Sequence, residues 1–296
     1  MGKSVCVVMI NYKTPDITIE GINSALKAIN DKSYIVVVDN HSNDGSFEKL
    51  VEHYKTNKKV VVIESSDNAG FSSGNNIGIR HALKNNTDFI LLLNNDTEID
   101  KCMVDELVTK ADENTVTVPK MYYFAEKNRI WYAGGCINEY TGRITHIGIN
   151  EMDNGQYDQD RYVDFATGCA VLIHSSIIRR IGMMDESYFM YVEDVDYSLN
   201  MKKHNIEILF VPTAKLWHKV GASSGSKSNI TVYYGNRGRF MLMNKYNFPI
   251  MAKLYFYLTR LILITKGYLL NTNDRLIVKA FLDFKKGIIG KIDCKI

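Results

Sequence analysis

The sequence of 296 residues has little cysteine, little net charge and no long apolar run, and each shortage excludes a class of protein. The five cysteines, Cys6, Cys102, Cys136, Cys169 and Cys294, are odd in number, far apart and form no C-x-x-C pair. That argues against a disulfide framework or a structural zinc and favours a reducing, cytoplasmic setting. Lys and Arg number 36 against 33 Asp and Glu, a balance of +3, too small for a nucleic-acid binder. The opening stretch MGKSVCVVMINYKTPD has a short apolar run at 5–10. This is too brief for a secretory leader with its cleavage site, and it reads as a strand. The most apolar segment, FPIMAKLYFYLTRLILITKGYLL at 248–270, is interrupted by Lys253, Arg260 and Lys266. A spanning helix wants about 20 apolar residues in a row. What remains is an ordinary globular composition, 46% apolar and 23% charged, long enough to bury a full core.

The first hundred residues alternate strand and helix. Apolar runs at 4–10, 34–38, 60–63 and Phe89–Leu93 read as strands buried on both faces. Thr14-Pro15 opens a helix with Ile19, Ile22, Leu26 and Ile29 on one side, and a second helix covers about 74–83. The pattern predicts an α/β, Rossmann-like, mostly parallel central sheet with flanking helices. Further on, 163–173 reads as a core strand broken by Gly168, Ser175–Ile181 as a short helix and 207–211 as a strand. We read 1–230 as one domain in two halves, a nucleotide-binding half of about 1–100 and an acceptor half of about 101–230. A basic, amphipathic helical extension follows at 231–296. Residues 251–296 hold nine basic against three acidic residues, a local charge of +6. Met251, Leu254, Leu258, Leu261 and Ile262 fall on one helical face there. Two readings stand for 248–296: a helix lying on an anionic membrane surface, or one packed on the body or in a homodimer.

In open α/β sheets ligands collect at the carboxyl ends of the strands, and there this sequence turns polar. Asn11-Tyr12, Asp39-Asn40, Asp67-Asn68 and Asn94-Asn95-Asp96 each follow a strand. Asp96 leaves a buried strand as an oxygen ligand of the kind that suits Mg²⁺ or Mn²⁺ holding a diphosphate; the same stretch also reads as a capped turn. Asp39 is placed to accept from a pyrimidine N–H or ribose hydroxyls. The run DNAGFSSGNN at 67–76 opens a helix whose N–H groups can meet phosphate, but it has neither G-K-[ST] nor G-x-G-x-x-G. The densest acidic run, MDESYFMYVEDVD at 184–196, sets five carboxylates among aromatics, suited to general-base work or to a solvated loop. His218 follows a strand.

Seven stretches in one order then resemble the family 2 glycosyltransferases, inverting enzymes of the GT-A fold, and within them the rhamnosyltransferase-like branch. They are VVMINYKTPD (7–16), VVVDNHSNDGS (36–46), DNAGFSSGNNIGI (67–79), ILLLNNDTEI (90–99), ATGCAVLI (166–173), MMDESYFMYVEDVDYSLNMKKHN (183–205) and WHKVGASS (217–224). The resemblance implies Asp96 and His218 as ligands of Mg²⁺ or Mn²⁺, with Asn94 where the D-x-D motif often carries Asp. It implies Asp39 as the base-reading carboxylate, with Asn11, Tyr12, Asn40, Asn68, Asn75 and Asn95 around the donor. Asp194 matches the catalytic base, and Asp185 and Glu193 the acceptor side. Arg237, in YYGNR at 233–237, reaches the diphosphate or else sits on a helix surface. The expected partners are a nucleoside-diphosphate sugar, with dTDP-rhamnose suggested by the branch and UDP-linked hexoses or N-acetylhexosamines open, and a lipid-linked saccharide of a growing cell-surface polysaccharide. The implied location is the cytoplasm or the inner membrane face. A nucleotidyltransferase is disfavoured, since NYKTPD lacks a glycine- and basic-rich triphosphate loop. A non-catalytic homologue is disfavoured because Asp96, Asp194 and His218 are all present.

Overall fold

The structure is a computed structural model, and it describes residues 2–219 and 228–292. The first part of the chain runs β1 (Val5–Asn11), α1 (Pro15–Leu26), β2 (Tyr34–Asp39), α2 (Ser46–Tyr54), β3 (Val60–Glu64), α3 (Phe71–Lys84) and β4 (Phe89–Leu93). There follow β5 (Thr97–Ile99), α4 (Met103–Lys110), β6 (Thr115–Tyr123), β7 (Ile130–Tyr132), β8 (Gly135–Asn138), β9 (Arg143–His146), β10 (Arg161–Tyr162) and β11 (Ala170–His174). The chain continues through α5 (Ser175–Ile181), α6 (Glu193–Lys203), β12 (Glu207–His218), α7 (Asn229–Lys245), α8 (Ile250–Leu269) and α9 (Leu276–Lys285).

The strands assemble in the order β10-β12-β6-β11-β4-β1-β2-β3, with β5 added to β12 and β7 to β6. β3, β2, β1 and β4 run parallel, as their continuous apolar sequences predict, and every residue of β4 is buried. Beyond β4 the sheet is mixed: β11 runs antiparallel to both β4 and β6, while β12 is parallel to β6. An antiparallel strand inserted mid-sheet is buried on both faces too, so its apolar pattern does not reveal its direction.

One expected element is shorter than its apolar pattern implies. Only 170–173 of the segment 163–173 is regular strand, which runs on to His174, because the Gly168 N–H is taken by a side chain from α6 instead of a neighbouring strand. Helix α2 was not read from the sequence. It is short, Gly45 turns into it at φ 85°, and only Ser46, Leu50 and Tyr54 of it are buried. The remaining expected elements match within a few residues, and β12 extends past the expected 207–211 to His218.

At the C-terminal end α7, α8 and α9 pack through Phe240, Met243, Phe256 and Ile277. Helix α8 buries only Ala252, Phe256 and Gly267. Among the described residues no helix is long and apolar enough to cross a membrane.

Candidate active site

The parallel register pairs Asn11 with Asp39, the last residues of β1 and β2. Their side chains bond directly, Asn11 Nδ2 donating to Asp39 Oδ2 at 2.6 Å. Asp39 also accepts from the Ser42 backbone N–H and hydroxyl, both at 2.8 Å. On the other side the Thr18 hydroxyl donates to Asn11 Oδ1 at 2.7 Å and accepts from Asn95 Nδ2 at 2.7 Å. Asn95 also donates to the Thr14 hydroxyl at 3.0 Å, so Thr14 ties α1 to the Asn95 turn and makes no side-chain cap on its own helix. One polar chain therefore links the ends of β1 and β2 to the turn after β4, held by Thr18 and Ser42, which the sequence reading did not single out. Tyr12, next to this chain, is exposed.

A second amide cluster lies beside it. Asn40 Nδ2 donates to Asn68 Oδ1 and to the Gly70 carbonyl, both at 3.1 Å. Gly70 has φ 102°, and a Cβ there would lie 2.1 Å from the carbonyl oxygen of Phe189. The loop before α3 thus packs its backbone against the loop before α6. Asn75 is buried inside α3 and donates to the Phe71 carbonyl at 3.0 Å.

Antiparallel pairing of β12 with β5 sets His218 opposite Thr97. That register brings His218 Nε2 to 3.1 Å from Asp96 Oδ1, with both side chains about nine-tenths buried. Asp96 Oδ1 and His218 Nδ1 have no hydrogen-bond partner among the described residues. Buried polar atoms are rarely left so, and an oxygen and a nitrogen donor meeting in this way suit a divalent cation whose other ligands come from a diphosphate or water. Among the described residues no group of three or more His, Cys, Asp or Glu side chains is arranged to hold a metal ion. Burial works against the His218 imidazolium, but Cys169 and Asp96 beside it push its pKa upward. Asp96 is the partner that counts, since burial keeps the Cys169 thiol protonated. Positions 220–224 of the motif WHKVGASS lie outside the described residues.

Glu193 and Asp194 open α6, directly after two residues in the left-handed region, Tyr191 at φ 69° and Val192 at φ 75°. For a β-branched residue this is strained, a cost of about 1–3 kcal/mol that the surroundings must hold. Asp194 Oδ2 accepts from Gly168 N–H at 3.0 Å and Oδ1 from Val195 N–H at 2.8 Å. Gly168 lies two residues before β11, and β11 begins where β4 ends, so Asp194 belongs to the same sheet edge as Asp96. Burial raises the Asp194 carboxyl above the ordinary range, and its two N–H donors offset this only in part. Burial raises Glu193 as well, with the Asp194 charge adding to it. Glu193 is buried and its Oε2 has no partner among the described residues.

Two aromatic elements missed in the sequence connect these groups. Trp131, in β7, lies edge-on between His218 and His146, with ring centroids 4.6 and 4.8 Å away. Burial holds His146 below the ordinary imidazole range, against the pull of the Asp194 charge. No signal in the sequence marked either residue, since β7 to β9 are short and carry no polar cluster.

The other expected residues have different company. Asp185 accepts from Ser187 and from Lys245 Nζ at 2.7 Å, and Lys245 also reaches Asp196 at 2.8 Å, so Asp185 braces the loop before α6 against α7. Arg237 is neither a surface residue nor bonded to the strand-end side chains. It is buried, donates to the Gly290 carbonyl and lies over the rings of Tyr233 and Tyr234.

The profile of the family described as glycosyl transferase family 2 matches residues 4–182. The chain is 28% identical over 252 residues to the low-salt glycan biosynthesis hexosyltransferase Agl10 of Haloferax volcanii, covering 82% of this chain and 76% of that one. It is 25% identical over 263 residues to the dTDP-rhamnosyl transferase RfbF of Shigella flexneri, covering 86% and 84%. Among solved structures it superposes on GalNAc-T7 with UDP, GalNAc and Mn²⁺ at a TM-score of 0.65 and 18% identity. That match covers 80% of this chain and 47% of the other, and it is a likeness of fold.

Proposed function

The chain belongs to glycosyl transferase family 2, with the GT-A fold of an α/β transferase, and on that premise we propose that it moves L-rhamnose from dTDP-rhamnose to a hydroxyl of a lipid-linked saccharide with inversion at the anomeric carbon. The observation that carries the reading is the convergence of Asp39, Asp96 with His218, and Asp194 at one edge of one sheet. The similarity to the dTDP-rhamnosyl transferase RfbF supports the donor. A UDP-hexose donor is the second reading, supported by the similarity to the hexosyltransferase Agl10.

In this reading Asp39, positioned by Asn11 and Ser42, accepts from the base or ribose of the donor, with Tyr12, Asn40, Asn68, Asn75 and Asn95 around it. Asp194 takes the proton of the acceptor hydroxyl as that oxygen attacks the anomeric carbon, and its raised pKa brings it nearer to the task. The nucleoside diphosphate leaves from the opposite face, which inverts the configuration. Asp96 and His218 would hold Mg²⁺ or Mn²⁺, which when bound supplies Lewis-acid neutralisation of the departing diphosphate. Glu193, uncharged where burial keeps its proton, would donate to an acceptor oxygen.

Helix α8 supports a membrane-facing acceptor. Met251, Leu254, Leu258, Leu261 and Ile262 are each more than half exposed, and α8 carries Lys253, Arg260 and Lys266 with no carboxylate. Apolar side chains flanked by cations and no anions fit an anionic lipid surface at the cytoplasmic face. Purified protein incubated with dTDP-L-rhamnose and a lipid-linked acceptor should release dTDP and give an inverted product by NMR. Turnover of UDP-hexoses and not of dTDP-rhamnose would overturn the donor assignment.

A further inference from the structure

Away from the strand-end edge, a cavity of about 260 Å³ opens where the β8–β9 turn meets α7 and α8. Arg143, Arg239 and Arg260 line it with Thr141, Thr259 and Tyr255, and its lining holds no Asp or Glu. None of the three arginines takes part in an ion pair between described residues, whereas Arg80 and Arg129 pair with carboxylates and Arg179 and Arg180 donate to backbone carbonyls. The arrangement is built by packing. Gly142 has φ 64°, and a Cβ there would lie 2.4 Å from the Met243 side chain, so the turn is pressed onto α7 with Arg143 next to the contact. Arg260 is oriented by donating to Asn236 Oδ1 at 3.1 Å and by lying over the Phe256 ring at 4.3 Å. Burial, with the neighbouring Arg239 charge adding to it, lowers Arg260 to about 10. Arg143 and Arg239 are exposed and Arg260 is half-buried, so three cations face one cavity with no carboxylate in its lining, an arrangement that an anion joining them would stabilise.

We propose that this cavity binds the phosphate of a lipid, the three guanidiniums meeting its oxygens through charge-assisted hydrogen bonds. Guanidiniums match phosphate in geometry as well as charge. A lipid, not a free ion, is indicated because Tyr255, Thr259 and Arg260 come from α8 itself, whose neighbouring Leu254, Leu258, Leu261 and Ile262 are exposed. A phosphate in the cavity would leave its apolar chains alongside that face. The cavity also borders the catalytic loop: Ile144 and Leu242 line it and pack in one cluster with Val192 and Val195, which flank Glu193 and Asp194. This inference rests on the membrane-facing reading of α8.

The test is binding of the full chain to phosphatidylcholine vesicles, undoped or doped with phosphatidylglycerol or with farnesyl diphosphate, for wild type, Arg239→Gln and Arg143→Gln. Circular dichroism establishes folding, and Arg143, on the exposed turn, serves where Arg239→Gln does not fold. The expected result is dopant-dependent binding that drops at least about tenfold in either variant, the worth of one charge-assisted hydrogen bond. The dopant that responds separates a headgroup phosphate from a lipid diphosphate. Binding to undoped vesicles reports on the α8 reading, so loss of that alone leaves the cavity assignment standing. Equal binding of variants and wild type to doped vesicles overturns the proposal. So does competition by inorganic pyrophosphate in solution without any dopant dependence.

Discussion

Gly21 of α1 lies directly under the carbonyl of Asn95, and a Cβ at that position would sit 2.3 Å from the oxygen. The missing side chain lets α1 approach the turn after β4 closely enough for Thr14 and Thr18 to bond Asn95, and so sets where Asp96 points. Gly21→Ala should push the turn away. We expect a loss of about 1–3 kcal/mol in denaturant unfolding, typical of overpacking, and a fall in metal-dependent nucleotide affinity in the variant that remains folded. A loss of stability with unchanged affinity would separate the glycine from the site.

Thr18 bridges Asn11 and Asn95 with one hydroxyl. Thr18→Val keeps the shape and removes both bonds, leaving the buried Asn11 Oδ1 unpaired at a cost of about 1–3 kcal/mol while Asn95 keeps its bond to Thr14. Steady-state kinetics should show the donor KM rising more than kcat falls, because the chain positions the donor pocket. A kcat effect alone would contradict this.

Asp194→Asn should stay folded, at a cost of about 1–3 kcal/mol because one amide oxygen cannot accept from both Gly168 and Val195 N–H, and should still bind nucleotide, while kcat falls by about 10²–10⁴-fold, the usual worth of a general base. Turnover near the wild-type level would remove Asp194 from the base role. Because burial raises the Asp194 carboxyl, the acidic limb of the wild-type rate profile should fall at a pKa above the ordinary Asp value of 3.8.

Glu193 is buried with its pKa raised above the ordinary 4.5. Its native state then holds a proton that the unfolded chain releases, so stability falls as pH rises from 4.5 toward the native pKa. Glu193→Gln removes that slope. Thermal melting should show the variant gaining on the wild type as pH increases through this window, and a constant difference would refute the burial of a protonated Glu193.

Much of this site was legible in the sequence because parallel strands buried on both faces announce themselves as apolar runs, and the first polar residue after each marks the ligand edge. Asp39 and Asn94-Asn95-Asp96 were found in that way. The pairing of Asp96 with His218 depends on β12 running on past Val211 to meet β5, which no local pattern in 207–218 revealed. Trp131 and His146 come from short strands whose pairing is long-range. The left-handed Tyr191 and Val192 defy their own side-chain preferences, so local propensity pointed away from the turn that presents Asp194. Gly21 looked like an ordinary helix residue until the carbonyl above it was in view.

The most direct test of the account is calorimetric titration of dTDP and UDP into the protein, each with and without Mn²⁺, repeated for Asp96→Ala. The account predicts Mn²⁺-dependent binding of dTDP that Asp96→Ala abolishes. Binding of neither nucleotide, or equal affinity with and without Mn²⁺ in both proteins, would contradict a metal-assisted nucleotide-sugar site between Asp39, Asp96 and His218.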